Sequence, residues 1–339
     1  MINRVESGVV TPIERQPKIA ATYIAEQLGI TIQALHKIAK KEGITLPKIG
    51  NKSYLTHGIS RKCFSLSFKP QKIAFQIVKG GTGKTTAIHN IGCCASLYGA
   101  RILAIDIDPQ GNLTDSFGYS PGDTPVLIDI LSKNASIHEA IVTVEEGIDL
   151  LPSRIENVVL DNKIAVEGKA LHTLFEKAIG TIENDYDFIF IDCPPTMGHS
   201  VSAAALYTGM VVTPLNADKY SSKGLDILKD GLESLQTEFK RTIDYKVFLN
   251  RFSGNTILSD KAIQTTIAEE NEVGKALSIA VRQSQEIPNN IDLGFNLFST
   301  LKKSTARDDF DELTRELLKI NIQEDRLTKA KQQTTMELA

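Results

Sequence analysis

QIVKGGTGKTTA, residues 76–87, decides how the chain is read. It follows the phosphate-binding pattern G-x-x-x-x-G-K-[ST] with one part missing and one added. Counting back from Gly83-Lys84-Thr85, the place of the first glycine is held by Val78, and a second lysine, Lys79, precedes Gly80 and Gly81. IAFQIV (73–78) is a short apolar, partly β-branched run, as in a buried strand. Gly80, Gly81 and Gly83 let the backbone curl so that successive N–H groups face phosphate oxygens, with Thr82 and Thr86 in the same run. Lys84 is placed to reach the β- and γ-phosphates, and Thr85 to offer its hydroxyl to Mg²⁺. A helix from about Lys84 to Tyr98 adds its N-terminal dipole. A glycine-rich turn without a ligand would not need strand, loop, lysine, hydroxyl and helix in that order.

Working outward, the 339 residues are 42% hydrophobic and 23% charged, with a formal net charge of −3. That composition fits a soluble globular protein of about two domains. The small negative balance excludes a uniformly cationic surface, so nucleic-acid binding would need a local basic patch. No apolar run approaches a membrane span, and MINRVESGVV holds no signal-peptide core. The cysteines Cys63, Cys93, Cys94 and Cys193 form no C-x-x-C pair, so neither a zinc site nor a disulfide framework is expected. The expected compartment is the cytoplasm.

The chain divides into unequal parts. Residues 1–17 are polar, carry Pro12 and Pro17, and read as a flexible arm. Residues 18–69 read as a small all-α winged helix-turn-helix domain. TYIAEQLGI (22–30) makes a helix with Ile24, Ala25 and Leu28 inward; Gly29 stops it and Thr31 caps the next. IQALHKIAKKEG (32–43) buries Ile32, Leu35, Ile38 and Ala39, and turns Gln33, His36, Lys37, Lys40 and Lys41 outward. The second helix of such a pair commonly enters the major groove of DNA. KIGNKSYLTHGISRK (48–62) follows as a candidate wing. A basic face on a short amphipathic helix is often only solvated; its clustering on this helix, with a basic wing next to it, favours DNA.

From residue 71 strands and helices alternate. RILAIDID (101–108), YDFIFIDCPP (186–195), GMVVTPL (209–215), YKVFLNRF (245–252) and LSIAV (277–281) are strand candidates, and 221–239 is a helix among them. Alternation of this kind predicts an α/β fold, a mostly parallel sheet with helices on both faces. Ligand groups then gather at the carboxyl ends of the strands. The 79–86 loop, Asp106, Asp108, Asp192 and Asn250 all fall there. This domain spans 70–322, and 323–339 is a polar tail.

KGGTGKTT (79–86), IDIDPQGNLT (105–114) and FIDCPPT (190–196) resemble the signature motifs of ParA-type DNA-partition ATPases, within the deviant Walker A group of P-loop ATPases. The resemblance covers roughly 72–320, and the helix-turn-helix ahead of it is similar to that of the larger plasmid partition ATPases, which also repress their own operons. It implies ATP and Mg²⁺ as cofactors and a homodimer closed on ATP. Lys79 would then cross to the partner's phosphates, a charge-assisted contact that ADP cannot satisfy. Asp108 is implied to orient the attacking water, Asp106 and Asp192 to stand in the Mg²⁺ shell with Thr85, and Asn250 to contact adenine, with backbone near 281–288 wrapping the base. Cys193 takes no role. No arginine stands in the motifs, and a supplied arginine is worth ~10³–10⁵ in rate for such enzymes; slow hydrolysis stimulated by a ParB-type centromere-binding partner follows. The implied location is cytoplasmic and nucleoid-associated, with no membrane. Arg282 is the first candidate for sequence-independent DNA contact, ahead of Lys275, Lys302 and Lys303.

The main alternative is a MinD-like membrane-cycling ATPase, which calls for a terminal amphipathic helix; INIQEDRLTKAKQQTTMELA has few bulky apolar residues. A reductase like the nitrogenase iron protein needs cluster cysteines at other positions. A nucleotide-binding transcription regulator without hydrolysis is opposed by Lys84, Asp108 and Asp192.

Overall fold

The computed structural model describes residues 14–166, 170–253 and 261–321. Seven strands form the main sheet: β4 (Gln71–Phe75), β5 (Ile102–Asp106), β6 (Val142–Glu145), β7 (Ile148–Leu151), β8 (Phe188–Asp192), β9 (Met210–Asn216) and β10 (Asp244–Asn250). Their order is β10-β9-β4-β8-β5-β7-β6. All neighbours are parallel except the β6–β7 hairpin at one edge. β5 and β8 are buried along their whole length, as their unbroken apolar runs require when both faces are covered. The chain leaves β4 towards β5 on one side and later returns to β9 on the other. The crevice above β4 is therefore a topological switch point, where ligands bind in such sheets.

Register places the acidic strand ends together. Phe75 pairs with Asp192, and Asp192 with Asp106, so two carboxylates stand side by side where the chain turns into the 79–86 loop. The helix after that loop, Lys84–Leu97, is buried along nearly its whole length between the sheet and the C-terminal helix Thr305–Leu318. Two helices, His199–Thr208 and Lys219–Phe239, contribute to a second apolar cluster.

One expected strand is absent. LSIAV runs beside β10, with Leu277 N–H on the Val247 carbonyl and Val281 N–H on that of Leu249, both at 2.8 Å, but forms no continuous strand. Four residues of this run pass while β10 advances only two, so the chain bulges between the two bonds and the ladder is interrupted. On its outer edge Ser278 N–H goes to Glu316 at 2.8 Å and the following Arg282 N–H to Asp309 at 2.9 Å, both on the C-terminal helix.

The N-terminal segment is mixed rather than all-α. Two helices, α1 (Ala21–Gln27) and α2 (Ile32–Lys41), precede the hairpin of β2 (Lys48–Ile49) and β3 (Lys52–Leu55), and α3 (His57–Phe64) closes the unit. β1 (Ile19–Ala20) adds a third strand, in the order β1-β3-β2. Short runs flanking the turn at Gly50-Asn51 explain the hairpin. Thr31 caps α2, its hydroxyl accepting Ala34 N–H at 3.1 Å. Leu35 and Ala39 are buried, and Ile32 and Ile38 half-buried, as the periodicity requires.

This unit is not a bead on a linker. Ile19, Ile24 and Leu55 share one apolar cluster with Tyr98, Phe310 and Leu313 of the larger domain. Arg61 donates to the Gly99 carbonyl at 2.7 Å, and Gly58 N–H to Glu146 at 3.0 Å. Gly99, at φ +93°, must be glycine: a Cβ there would stand 2.9 Å from the Arg61 backbone. The expected arm is corrected in part, since Gln16 and Pro17 are buried and Gln16 accepts Glu146 N–H at 2.8 Å. Residues 1–13 and the 323–339 tail lie outside the described residues.

Candidate nucleotide site

Beyond β4 the chain curls through Gly81 (φ +71°) and Gly83 (φ +95°) into the Lys84–Leu97 helix, here α4. No side chain caps α4. Its first N–H groups are thus left for a ligand, and they carry the positive end of the helix dipole. Above them opens a cavity of about 870 Å³ lined by Gly80 to Thr86, Asp108, Asn157, Asp161, Pro194 and Arg251, among others. The volume suits a nucleotide.

Lys84 is 7% exposed. Burial lowers its ammonium's pKa, with Asp192 and Asp108 opposing that shift. A buried cation at the foot of an uncapped helix is an anion site. Thr85 donates its hydroxyl to Asp192 Oδ2 at 2.6 Å, while Asp192 Oδ1 is buried and has no hydrogen-bond partner. Burial pushes the Asp192 carboxyl up to about 7, against the Thr85 hydrogen bond and the Lys84 charge. An orphaned carboxylate oxygen beside a hydroxyl is the donor set that a hard divalent cation takes, so Thr85 and Asp192 fit Mg²⁺.

Asp106 stands beside Asp192, as expected of a residue near the Mg²⁺ shell, but its oxygens are engaged elsewhere. It is fully buried, and its oxygens accept Thr114 N–H and hydroxyl at 2.9 and 2.8 Å and Asp108 N–H at 3.1 Å. It does not line the cavity. Its task is to hold the 107–114 loop, and with it Asp108. Asp108 does line the cavity, half-buried, with Oδ1 accepting Gln110 N–H at 3.0 Å.

Asn250 is likewise drawn under the loop. Its amide donates to the Thr82 carbonyl at 2.7 Å, and a Cβ at Gly83 would meet that amide at 2.3 Å. Asn250 does not line the cavity, whereas its neighbour Arg251, at φ +53°, does. Sequence reasoning missed Arg251; the cation in FLNRF just past a strand end was the available signal. Nor does the 281–288 segment reach the cavity; Ile291 does.

Lys79 is absent from the cavity wall. Its ammonium lies 2.5 Å from Asp218 Oδ2 and 3.2 Å from Ser221 Oγ, at the start of the Lys219–Phe239 helix. Asp218 is the cap of that helix, accepting N–H from Tyr220 and Ser221 at 2.9 Å each. Burial would raise its carboxyl, but Lys79 and these N–H groups hold it below the usual range.

The DNA candidates separate. Gln33, His36, Lys37, Lys40 and Lys41 lie on α2, next to exposed Lys48 and Lys52 on the hairpin; His36, Lys37, Lys40 and Lys41 are outward on its solvent face. Arg282 is clamped on Asp309 through its Nε at 3.0 Å and Nη2, and Lys275 is paired with Asp244. Lys302 and Lys303 are exposed. Cys193 is buried, as a packed neighbour should be.

A family profile described as "AAA domain" matches residues 70–245. A ParA family protein of Chlamydia muridarum is 30% identical over 252 residues, 73% of this chain and 96% of that one. The chain belongs to the ParA family. Among other ParA-like relatives, the sporulation initiation inhibitor protein Soj of Bacillus subtilis is 31% identical over 195 residues, 57% of this chain and 77% of Soj. The fold matches that of a Cyanothece McdA variant in complex with ATP, with a TM-score of 0.65 at 23% identity, covering 75% of this chain and 98% of that one. This ParA-family chain thus carries the P-loop fold expected from its motifs. Among the described residues no helix is long and apolar enough to cross a membrane.

Proposed function

We propose that this ParA-family chain is a DNA-partition ATPase in which two copies close face to face over ATP and Mg²⁺. The observation that carries the reading is the division of labour between its lysines. Lys84 is buried in its own cavity, while Lys79, next to Gly80 of the cavity wall but not itself part of it, is held by an acidic helix cap. A cation so placed is available to a second copy's phosphates once it exchanges Asp218 for them. Apolar side chains stand exposed near the mouth: Val158 and Ile291, both lining the cavity, are 61% and 40% exposed, and Ile155 62%. Their burial between copies would favour closure.

Bound Mg²⁺ would neutralise phosphate charge, with Thr85 and Asp192 as its protein contacts. Asp108, held by the Asp106–Thr114 anchor, would orient and accept a proton from the attacking water. Arg251 faces the cavity from a loop end and gives nucleotide phosphate or base a further contact. With no arginine within the phosphate-loop and strand-end motifs, basal turnover would be slow, and a ParB-type partner would raise it.

Mixing two inactive variants tests the trans lysine. Lys79→Ala keeps Lys84 and Asp108; Asp108→Ala keeps Lys79. In their heterodimer one site is complete, so phosphate release should climb from near zero as one protein is titrated into the other, with DNA and partner present. No rise, with heterodimers demonstrated by crosslinking, would show that Lys79 does not act across the interface.

α2 and the β2–β3 hairpin carry the proposed operator contact, which would let the chain repress its own operon. Deleting this unit would open the shared core, so point substitutions are the sound test. Lys37→Ala and Lys40→Ala should weaken binding to operator and random DNA alike, and each should lower the salt slope by about 1. Gln33→Ala should weaken operator preference alone. Unchanged slopes in a filter-binding assay would remove α2 from the interface. Arg282, engaged with Asp309, contributes to sequence-independent binding only if that pair opens.

A further inference from the structure

Past the phosphate loop, α4 carries a second set of ligand-type side chains. His89 and Cys93 are four residues apart on α4 and so share one face. Glu145, the last residue of β6, meets them from the sheet edge. One ligand atom from each of the three lies within 4.8 Å of the others. All are buried, with exposures of 2%, 0% and 2% for His89, Cys93 and Glu145.

Three further features mark a built site. His89 Nε2 is enclosed and has no hydrogen-bond partner, a costly state for a ring nitrogen unless something else binds it. Cys93 Sγ lies 3.1 Å from Glu145 Oε2, so thiol and carboxylate converge. The other carboxylate oxygen is fixed by the Asn296 amide at 3.0 Å, and Asn296 is itself buried. Supporting bonds of this kind orient metal-ligating carboxylates. His89 also lines the nucleotide cavity, the side from which an ion would approach.

We propose that His89, Cys93 and Glu145 bind a divalent transition metal of zinc's class, at a site distinct from the Mg²⁺ position at Thr85 and Asp192. Nitrogen, thiolate and carboxylate with one open position suit Zn²⁺ or Co²⁺, whereas Mg²⁺ prefers an all-oxygen octahedron. On binding, the thiol proton passes to solvent, and thiolate and carboxylate balance the two positive charges. The ion would pin α4, the helix that presents Lys84, to the β6–β7 edge. The spacing of these residues in sequence, 89, 93 and 145, gave no sign of it, since no short motif links them.

Cobalt is the probe. Full-length protein freed of metal by chelation is titrated with Co²⁺ in excess Mg²⁺. One equivalent should bind with tetrahedral visible bands and a thiolate-to-cobalt charge-transfer band, and Zn²⁺ should displace it. Cys93→Ser and His89→Gln should lose the charge-transfer band and the bound equivalent. Cys94→Ser, Cys193→Ser and Asp192→Asn should keep both. Asn296→Ala should weaken binding by roughly 10–100-fold. Absence of the band in the unsubstituted protein overturns the proposal whatever the variants do, as does a band that survives Cys93→Ser.

Discussion

Lys84→Ala is expected to weaken nucleotide binding severely, whereas Asp108→Ala is expected to keep it and lose turnover. Both side chains border one cavity, but they face different partners. The Lys84 ammonium is buried at the cavity, near Asp192 and Asp108, and would sit on phosphate. A hydrogen bond to a charged group is worth about 1.5–3 kcal/mol, so its loss should weaken ATP by roughly one to two orders of magnitude. Asp108→Ala removes no phosphate contact. It takes away a general base, a contribution of about 10²–10⁴ in rate. Calorimetric titration with ATP and a phosphate-release assay separate the two. Normal affinity in Lys84→Ala would contradict the phosphate site; normal turnover in Asp108→Ala would contradict the water-orienting role.

Asp311→Ala should be the most damaging substitution away from the nucleotide cavity. Asp311 is 2% exposed and accepts from Tyr23 at 2.6 Å, Tyr98 at 2.5 Å, Arg315 at 3.0 Å and the Cys94 thiol at 3.3 Å. They come from α1, α4 and the C-terminal helix, so one carboxylate joins the N-terminal unit, the nucleotide helix and the terminus. Its removal leaves the buried Tyr98 hydroxyl and Cys94 thiol without their acceptor, at about 1–3 kcal/mol for such a group, and takes the counter-charge from the half-buried Arg315. In a chain of this size that corresponds to a fall in Tm of roughly 3–6 °C. Asp311→Asn retains an acceptor and should lose less. A Tm within a degree or so of the parent's for Asp311→Ala would show that the network is not a source of stability.

The sequence alone carried the chain a long way where neighbours in sequence decide the outcome. Most apolar strand runs, the glycine loop, the helix that follows and the inward face of α2 are local patterns that appear close to where the periodicity puts them, although the strand read at 73–78 lies at Gln71–Phe75. The β6–β7 hairpin was not read, although VTVEEGIDLL has short alternating runs around Glu146-Gly147. LSIAV was read as a strand because its composition is right; beside β10 it spends four residues, Leu277 to Val281, where β10 spends two, Val247 to Leu249, and its outer edge is tied by Glu316 and Asp309, far along the chain.

Sequence therefore determined the class of fold and the inventory of the site: a P-loop, acidic strand ends, a hydroxyl beside a lysine, and a basic helix ahead of them. Tertiary structure decided which of these groups reach the cavity. Asn250 is bound to a carbonyl 168 residues away, and Lys79 to a carboxylate 139 residues away. Asp106 is consumed in holding the loop that presents Asp108, while Arg251 is exposed to the cavity. Local pattern fixes what a segment becomes, because backbone sterics and helix or strand periodicity act over a few residues. A buried polar atom takes whatever partner packing brings within about 3 Å, since leaving it unpaired costs about 1–3 kcal/mol, and that choice belongs to the folded chain.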